Sequence, residues 1–530
     1  MGFYLNPPAD GFESLRKTGL YVDKTELIAY TNQVLGTDRK LICVSRPRRF
    51  GKTSAAKMLE AYYSKGADSG ALFKGLKITS SPGFEAHLNR YDVLSLDIAW
   101  FLSNAADARE IVADIQREVI EELEESFPGC VKAGTKSLPK ALSQISLKTE
   151  RKFFVIIDEW DALFREAKED TGLQKAYIQM LRGLFKGLQV SRFIVGAYMT
   201  GILPIKKYGT QSALTDFYEY TMLQPGPLAD YVGFMEEEVR GLCDGNGLDF
   251  EEARRWYDGY RFGNAGHIYN PDSIIKAVQN NRIDDYWTQT ESYELLRIYI
   301  DMDFAGSKTA IIDMLGGQSC KVDVGAFQND MTSLASRDDV FTLLVHLGYL
   351  AYDTDRKEVF IPNEEVREEF VRSIKNGKRP ELVKAVETSE KLLEATVRGD
   401  SGIVAQLIEE AHNRETAPDF YNNEQALRSV VIMAYLSSVD YYEKFQELSS
   451  GKGYVDILFL PRRASGKPAL IVELKWNRSA KSAVAQIKAK NYVQFLEKLG
   501  IRDRILLVGV NYSTKTGKHT CVIEEYLPES

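Results

Sequence analysis

The stretch LICVSRPRRFGKTS, Leu41–Ser54, decides our interpretation of the fold. Its apolar first part, 41–44, predicts a short buried strand, and the Gly-Lys-Thr near its end precedes a helical pattern over 55–63. In a phosphate-binding loop, backbone N–H groups at a helix N-terminus surround phosphate oxygens, a lysine reaches the β and γ phosphates, and a Thr hydroxyl ligates magnesium. The residues that match these parts are Gly51, Lys52 and Thr53.

This loop departs from the usual pattern G-x-x-x-x-G-K-[ST], because Arg46 occupies the position of the first glycine. A second motif compensates for this departure. FFVIID, Phe153–Asp158, predicts a buried strand that ends in a carboxylate, and Glu159 follows directly. We predict that Asp158 holds magnesium, directly or through water, and that Glu159 polarises the attacking water. Together the motifs favour a nucleotide site over two unrelated buried strands.

Strands alternate with helices over 41–204, which predicts an α/β domain with a mainly parallel sheet and helices on both faces. In such a sheet the ligand lies at the carboxyl ends of the strands. The segment 91–100 is a further predicted strand. Asp97, near its end, either faces the site or is a satisfied polar residue at the edge of the sheet.

Several motifs resemble those of the bacterial AAA-ATPase-like proteins. They are YVDKT (Tyr21–Thr25), RPRRFGKT, IIDEWDALF (Ile156–Phe164), TGILPI (Thr200–Ile205) and WYDGYRFG with IYNP (Trp256–Pro271). The resemblance covers most of the chain and implies ATP as the bound nucleotide. In that family the P-loop ATPase is commonly followed by a PD-(D/E)XK nuclease-like domain.

The roles of the loop arginines stay open. Three roles are compatible with Arg46, Arg48 and Arg49. They contact nucleotide phosphates, or they pair with acidic residues beside the site. Alternatively, one of them acts on the ATP of a neighbouring subunit in a homo-oligomer. In AAA-type ATPases a polar residue at a strand end senses the γ-phosphate, and Thr200 follows the predicted strand 192–198; its hydroxyl alternatively satisfies its own turn. The predicted nucleotide-binding residues are Arg46, Pro47, Arg48, Arg49, Phe50, Gly51, Lys52, Thr53, Ser54, Asp158 and Thr200.

The chain of 530 residues is too long for one hydrophobic core, so several domains are expected. We predict an AAA-like P-loop ATPase core over 1–216 and a helical lid over 217–300. A helical connector with a winged-helix-like order of helix, hairpin and helix follows over 301–400, and a nuclease-like α/β domain over 401–530. The aromatic residues of the lid are interpreted as core.

Charge is distributed unevenly along the chain. The formal net charge is −8, yet residues 451–530 carry 14 Lys plus Arg against 7 Asp plus Glu. A basic C-terminal part permits local contact with a phosphate backbone, whereas the acidic remainder disfavours non-specific binding over the whole surface. No run of about 18 apolar residues occurs, so we expect a cytoplasmic protein without a membrane segment. The five cysteines form no C-x-x-C pair, which disfavours structural zinc and disulfides.

The C-terminal part contains a second candidate site. Asp456 lies on the predicted strand 454–460, and ALIVELKW, 469–476, carries Glu473 and Lys475. Because side chains alternate along a strand, Glu473 and Lys475 share a face, and Asp456 can meet them from the adjacent strand. Carboxylate oxygens suit Mg²⁺ or Mn²⁺, and a neighbouring lysine stabilises the water that is activated.

This order resembles the PD-(D/E)XK nucleases, and the resemblance adds Glu424 on the preceding helix to the site. Gln486, Lys490 and Tyr492 match the accessory helix of that family. The chain departs from the family at Lys452, where an Arg is expected, and at Leu427-Arg428, where an aromatic residue and a His are expected; these departures concern substrate preference and leave the metal-binding residues untouched. The predicted metal ligands are Thr53 and Asp158 at the nucleotide site and Glu424, Asp456 and Glu473 at the nuclease-like site.

Three functions are compatible with these residues. The first is an ATPase that gates magnesium-dependent cleavage of nucleic acid, with DNA favoured over RNA, at the basic C-terminal domain. The second is a nucleotide-switched sensor whose nuclease-like domain binds nucleic acid or a partner without cleavage. The third is an ATP-dependent remodeller of proteins. The set Asp456, Glu473 and Lys475 favours the first, with Glu159 as the catalytic residue of the ATPase.

Overall fold

The computed structural model describes residues 2–105, 107–205, 214–263, 266–287, 293–302, 304–327, 334–415, 424–449, 454–462, 465–490, 492, 496 and 504–526. The chain forms two compact units. The first consists of Met1–Thr290 and Lys321–Val366, and the second of Glu291–Cys320 and Arg367–Ser530. The predicted connector, 301–400, contributes to both. Among the described residues, every helix is too short or too polar to cross a bilayer.

The helices are numbered along the chain. They are α1 (Asp10–Lys17), α2 (Glu26–Val34), α3 (Lys52–Tyr63), α4 (Gly70–Phe73), α5 (Phe84–His87), α6 (Ile98–Asn104), α7 (Ile111–Ser126), α8 (Leu138–Thr149), α9 (Ala162–Glu166), α10 (Thr171–Phe185), α11 (Val190–Phe193), α12 (Glu236–Asn246), α13 (Phe250–Tyr257), α14 (Pro271–Asn280), α15 (Tyr293–Ile300), α16 (Ser307–Leu315), α17 (Arg337–Leu347), α18 (Glu364–Lys375), α19 (Pro380–Arg398), α20 (Ser401–Glu415), α21 (Glu424–Ala434) and α22 (Ala480–Ala489).

The first unit is built on a parallel sheet of β1 (Leu41–Ser45), β2 (Asp92–Asp97), β3 (Phe153–Asp158), β4 (Ile194–Gly201) and β5 (Tyr218–Tyr220). The strand order is β2-β3-β4-β1-β5, and each pairing is parallel. Because β1 and β3 both flank β4, the loop after β1 and the carboxylates after β3 emerge at one edge of the sheet. The predicted α/β class is confirmed.

Helices cover both faces of this sheet. Phe153 and Val155 of β3 are buried in a core cluster with residues of α7, α8 and α10. Phe154 points the other way, and its ring centroid lies 4.4 Å from that of Tyr63 on α3. Since side chains alternate along a strand, α3 packs on the opposite face from α7, α8 and α10. The helix that follows the phosphate loop is therefore fixed by the core.

The fifth strand corrects the predicted domain limits. The sequence predicts Tyr218–Tyr220 as part of the helical lid, yet these residues pair with β1 in the register Ile42↔Tyr218. Three residues offer too little alternation to be distinguished from a loop. The ATPase sheet consequently extends beyond residue 216.

The segment predicted as a lid is only partly helical. It contains a small antiparallel sheet of β6 (Phe234–Met235), β7 (Tyr260–Arg261) and β8 (His267–Tyr269), in the order β6-β8-β7. Tyr260 and Tyr269 are buried, so the aromatic motif forms core as predicted. Gly259 has φ of 120°, and a Cβ there would collide with the carbonyl group of Pro362. A close backbone approach therefore requires the first glycine of WYDGYRFG.

The helix, hairpin and helix predicted after residue 340 are present. They are α17, the antiparallel pair of β10 (Ala351–Asp353) and β11 (Glu358–Phe360), and α18. A short strand, β9 (Cys320–Lys321), pairs with β11 to complete a three-stranded sheet.

The second unit carries a mixed sheet of β12 (Tyr442–Ser449), β13 (Tyr454–Pro461), β14 (Ala469–Trp476), β15 (Ile505–Ser513) and β16 (Lys518–Tyr526), in chain order. Only the β14–β15 pairing is parallel. Val472 and Leu474 pack in one core cluster with α20 and α21, whereas Ile471 packs in another with α22. Glu473 and Lys475 therefore alternate onto the face that α22 covers.

Candidate nucleotide and nuclease sites

The phosphate loop enters α3 through a left-handed turn. Gly51 has φ of 84° and ψ of 17° and lies directly before the helix, so the absence of a Cβ lets the backbone turn there. Lys52 is buried, and its Nζ donates a hydrogen bond of 2.7 Å to the carbonyl oxygen of Pro47. Thr53 is exposed in the first helical turn, and Ser54 is half-buried. The loop thus presents a helix N-terminus with a lysine folded beneath it.

The three loop arginines occupy different environments. Arg46 is fully buried; its Nη1 donates to the carbonyl oxygens of Ser45 and Tyr220 at 3.1 and 3.0 Å. Arg49 forms an ion pair of 2.8 Å with Asp272, whereas Arg48 is exposed. The guanidinium groups of Arg46 and Arg49 therefore support the loop from within the protein, and this placement does not favour their contact with phosphate.

Asp158 and Thr200 meet at the ends of neighbouring strands. The hydroxyl of Thr200 donates to Asp158 Oδ1, which also accepts the backbone N–H of Glu159 at 3.1 Å. Both side chains are buried. Thr200 fixes the orientation of the Asp158 carboxylate, so the two predicted residues act as one unit.

Glu159 is held by a residue that sequence reasoning did not identify. It has φ of 51°, and its carboxylate pairs with Arg165. Arg165 Nε also lies 3.1 Å from Asp161 Oδ2, and Asp161 in turn accepts the backbone N–H of Leu203 at 2.8 Å. The spacing i, i+4 between Asp161 and Arg165 was the available signal, because residues four apart on a helix are neighbours.

The loop lysine is buried and lies within the electrostatic influence of these carboxylates. Burial lowers the pKa of Lys52 to about 8, and the negative charges of Glu159, Asp158 and Asp161 oppose that shift. Asp97 pairs in register with Asp158 across β2 and β3, and burial together with Asp158 and Glu159 raises its pKa. Asp97 also caps α6 through the N–H of Trp100 at 3.0 Å. Both roles considered for Asp97 are therefore compatible with its position.

The second unit brings Asp456, Glu473 and Lys475 together. The β13–β14 register, Ile457↔Val472, places Asp456 opposite Glu473, and Asp456 Oδ2 accepts the N–H of Leu474 at 2.8 Å. Lys475 Nζ donates to Glu473 Oε1 at 3.0 Å. Burial and the charge of Asp456 raise the pKa of Glu473. Two buried carboxylates and a lysine thus converge within one sheet.

Helix α22 completes this centre. Gln486 Nε2 donates to Glu473 Oε1. A Cβ at Gly509 would collide with the carbonyl oxygen of Ala480 and approach Val484 Cγ2 within 2.9 Å. Gly509 therefore lets α22 lie close against β15, which brings Gln486 to the carboxylate. Tyr492 is buried near the same charges, and Lys490 Nζ lies 5.8 Å from its ring centroid.

The two carboxylates of the nuclease-like centre are not equally available to a divalent cation. Glu473 Oε2 is buried and accepts no hydrogen bond from the residues that the structure describes, which suits a cation ligand. Asp456 Oδ1, in contrast, accepts Arg428 Nη2 at 2.6 Å. Within the described ranges no three His, Cys, Asp or Glu side chains are grouped to hold a metal, and the role of Glu424 as a third ligand stays a prediction. Lys452 lies outside the described residues.

Two protein-family models match this chain, each over a segment that contains one of the candidate sites. A family model described as a predicted AAA-ATPase matches residues 9–210, and a model of the PD-(D/E)XK nuclease superfamily matches residues 422–521. The chain joins an AAA-ATPase-like domain to a PD-(D/E)XK nuclease superfamily domain. The first match contains the phosphate loop with Asp158, Glu159 and Thr200, and the second contains Asp456, Glu473 and Lys475.

Three individual proteins illustrate distant similarity to this chain. An uncharacterized protein in the vnfD 5' region of Azotobacter chroococcum mcd 1 is 24% identical over 276 residues, which are 51% of this chain and 50% of that protein. The chain thus spans about half the length of this curated relative. The Aeropyrum pernix ORC2 protein, solved in ADPNP–ADP complexes, aligns with a TM-score of 0.27 at 14% identity over 67% of this chain and 93% of that one. The Aeropyrum pernix ORC1 protein in complex with DNA aligns with a TM-score of 0.24 at 9% identity over 84% and 91%.

Proposed function

We propose that this protein binds and hydrolyses ATP at the carboxyl edge of its parallel sheet and that the nucleotide state controls magnesium-dependent cleavage of nucleic acid by its second unit. The ATPase part rests on the order of strands in the sheet. Lys52 follows β1, and Thr200 lies at the end of β4, the strand next to β1. Asp158 and Glu159 lie at the end of β3, the strand next to β4. The convergence of Asp456, Glu473 and Lys475, three buried residues of adjacent strands, supports the nuclease part.

At the nucleotide site each residue has a distinct task. Thr53 and Asp158 are the side chains that would hold magnesium, whose charge stabilises the transferring phosphoryl group. Lys52 exchanges the Pro47 carbonyl for the β and γ phosphates of ATP. Glu159 orients the attacking water, and Thr200 holds Asp158 in place.

At the nuclease-like site Asp456 and Glu473 would hold Mg²⁺ or Mn²⁺, which polarises the phosphodiester and lowers the pKa of water. Lys475, 3.0 Å from Glu473, stabilises the attacking hydroxide. Gln486 holds Glu473 in position. The basic character of 451–530 favours a nucleic-acid substrate, and DNA is preferred over RNA in this proposal.

A second candidate function is nucleotide-switched binding of nucleic acid without cleavage. One observation favours it: Arg428 already supplies a positive charge to Asp456. A domain of this kind would hold a phosphate backbone and pass the nucleotide state to a partner.

A cleavage panel distinguishes the two functions. Single- and double-stranded DNA and RNA are incubated with Mg²⁺ or Mn²⁺, with and without ATP. The proteins are the wild type, Lys475→Ala, Lys52→Ala and, as a matched control, Lys488→Ala, whose side chain is exposed on α22. We expect cleavage to be lost in Lys475→Ala and kept in Lys488→Ala, with ATP binding intact in both. Binding without cleavage of every substrate would support the second function instead.

A further inference from the structure

Arg428 forms an ion pair with Asp456, one of the two carboxylates of the nuclease-like centre. Its Nη2 lies 2.6 Å from Asp456 Oδ1, and Asp456 Oδ2 accepts the N–H of Leu474 at 2.8 Å. Asp456 is 9% exposed, and the side chain of Arg428 is 17% exposed. Both carboxylate oxygens of Asp456 are therefore engaged by the protein itself, one of them by a full positive charge.

Glu473 is arranged differently. Lys475 and Gln486 both donate to its Oε1, while Oε2 is buried and takes no hydrogen bond from the described part of the chain. Glu473 is 2% exposed. One carboxylate of the centre thus directs an unsatisfied oxygen inward, whereas the other is neutralised by an arginine.

We propose that Arg428 is a built-in competitor of the divalent cation. Its guanidinium provides at Asp456 Oδ1 the positive charge that Mg²⁺ or Mn²⁺ would provide, and the cation gains this oxygen only when Arg428 leaves it. The proposal rests on the proposed metal-dependent function of the second unit.

The physical reason lies in the burial of two like charges. Asp456 and Glu473 lie opposite each other on adjacent strands, and buried carboxylates at such a separation repel unless a cation lies between or beside them. Arginine keeps its charge at every accessible pH, and its planar fork suits a carboxylate. The Arg428 pair therefore stabilises the metal-free centre and lowers its affinity for a divalent cation.

The test is Mn²⁺ binding to the full-length protein without nucleotide, measured by the loss of the free Mn²⁺ signal in electron paramagnetic resonance. Because a neighbouring opposite charge changes the affinity of a carboxylate for a cation by roughly one to three powers of ten, we expect Arg428→Gln to bind Mn²⁺ at least about tenfold more tightly than the wild type. Arg428→Lys keeps the charge without the planar fork and should lie between the two. Glu473→Gln shows which site binds the Mn²⁺: any binding that this variant loses takes place at the nuclease-like centre and not at the nucleotide site.

Lys490→Gln is the control for general electrostatics. The charge of Lys490 opposes the rise in the pKa of Glu473, yet within the described residues Lys490 donates no hydrogen bond to Asp456. Its removal should change Mn²⁺ affinity less than the removal of Arg428. An equal gain in Lys490→Gln, or an unchanged or weaker affinity in Arg428→Gln, would overturn the competitor role.

Folding of each variant is checked by circular dichroism and thermal melting. If Arg428→Gln does not fold, Arg428→Lys decides alone: tighter Mn²⁺ binding than the wild type supports the proposal, and equal binding overturns it. Mn²⁺ binding that is insensitive to Glu473→Gln in both the wild-type and the Arg428→Gln background would instead reject the metal site of the proposed function.

Discussion

Lys52 Nζ lies 2.7 Å from the carbonyl oxygen of Pro47, five residues earlier in the same loop. This contact satisfies a buried ammonium group with a backbone acceptor of the loop itself. A phosphate oxygen that replaces the carbonyl brings a negative charge to the same donor, which makes the new hydrogen bond the stronger one. In the proposed function a triphosphate would therefore displace the Pro47 carbonyl from Lys52.

Replacement of this lysine should strongly reduce the proposed ATP hydrolysis. Lys52→Ala removes a donor to the phosphates, so we expect ATP hydrolysis to fall by about 10²–10³-fold. The measurement is phosphate release by the full-length protein, with Lys74→Ala, an exposed lysine of the same unit, as the control. Hydrolysis at the wild-type rate in Lys52→Ala would contradict the assignment of this loop.

Arg165→Ala should destabilise the first unit. The side chains of Arg165 and Asp161 are 6% and 1% exposed, so the change leaves a buried carboxylate without its ionic partner, at an expected cost of about 3–5 kcal/mol in the free energy of unfolding. Urea unfolding followed by tryptophan fluorescence measures this loss. Arg109→Ala removes an arginine whose pair with Asp107 is exposed, and its midpoint should not move. Equal stability of the two variants would refute the prediction.

Gly509→Ala should separate α22 from the sheet. The added methyl group has no room beside Ala480 and Val484, so we expect about 1–3 kcal/mol of destabilisation from overpacking. Gln486 should move away from Glu473, which lowers nuclease activity more than ATP binding. Gly402→Ala at the start of α20 is the control, because a Cβ there meets no atom closer than 3.6 Å. The prediction fails if both variants keep wild-type melting temperature and activity.

Glu365 should make the stability of the first unit depend on pH. It accepts hydrogen bonds from Ser273 and from the N–H groups of Tyr286 and Trp287, yet burial outweighs these donors and raises its pKa from 4.5 to about 8. Between these values the folded protein holds a proton that the unfolded chain releases. The contribution of this group to stability is therefore complete below about pH 4.5 and is lost as the pH rises toward 8.

Glu365→Gln isolates this effect, because an amide is neutral at every pH and keeps an acceptor for the two backbone N–H groups. The melting temperature of Glu365→Gln relative to the wild type should rise between pH 5 and pH 8.5. Glu125→Gln, an exposed glutamate on α7, should show a constant difference. A constant difference for Glu365→Gln as well would show that the carboxylate is ionised in the folded protein throughout this range.

The elements with strong local signals were predicted from the sequence. β1, β3 and β14 each begin with a continuous apolar run, and each is present as a buried strand. Gly-Lys-Thr follows β1 after a loop, β3 ends in Asp158, and β14 carries Glu473 and Lys475. Such strands lie in the middle of a sheet, where burial on both faces dictates their composition. The α/β class followed from them, and the two candidate sites were predicted at the ends of these strands.

The contacts that tune the centres were not predicted. Arg165 reaches back from α9 to Glu159, and Arg428 lies 28 residues before Asp456. Such pairs depend on how helices pack on strands, which periodicity does not reveal. The environment of Arg46 could not be predicted for the same reason. Only the fold shows that its guanidinium donates to the Tyr220 carbonyl of β5 instead of standing free for phosphates.

The edge strand β5 and the ion pair of Arg49 with Asp272 bear on any attempt to isolate the ATPase. A truncated protein ending at residue 216 would expose β1 as an unpaired edge and so invite aggregation. Arg46 would lose the Tyr220 carbonyl, and Arg49 would lose Asp272. The loop after β1 therefore depends on residues beyond 216. A fragment that preserves the conformation of this loop must extend past β8 and include Asp272.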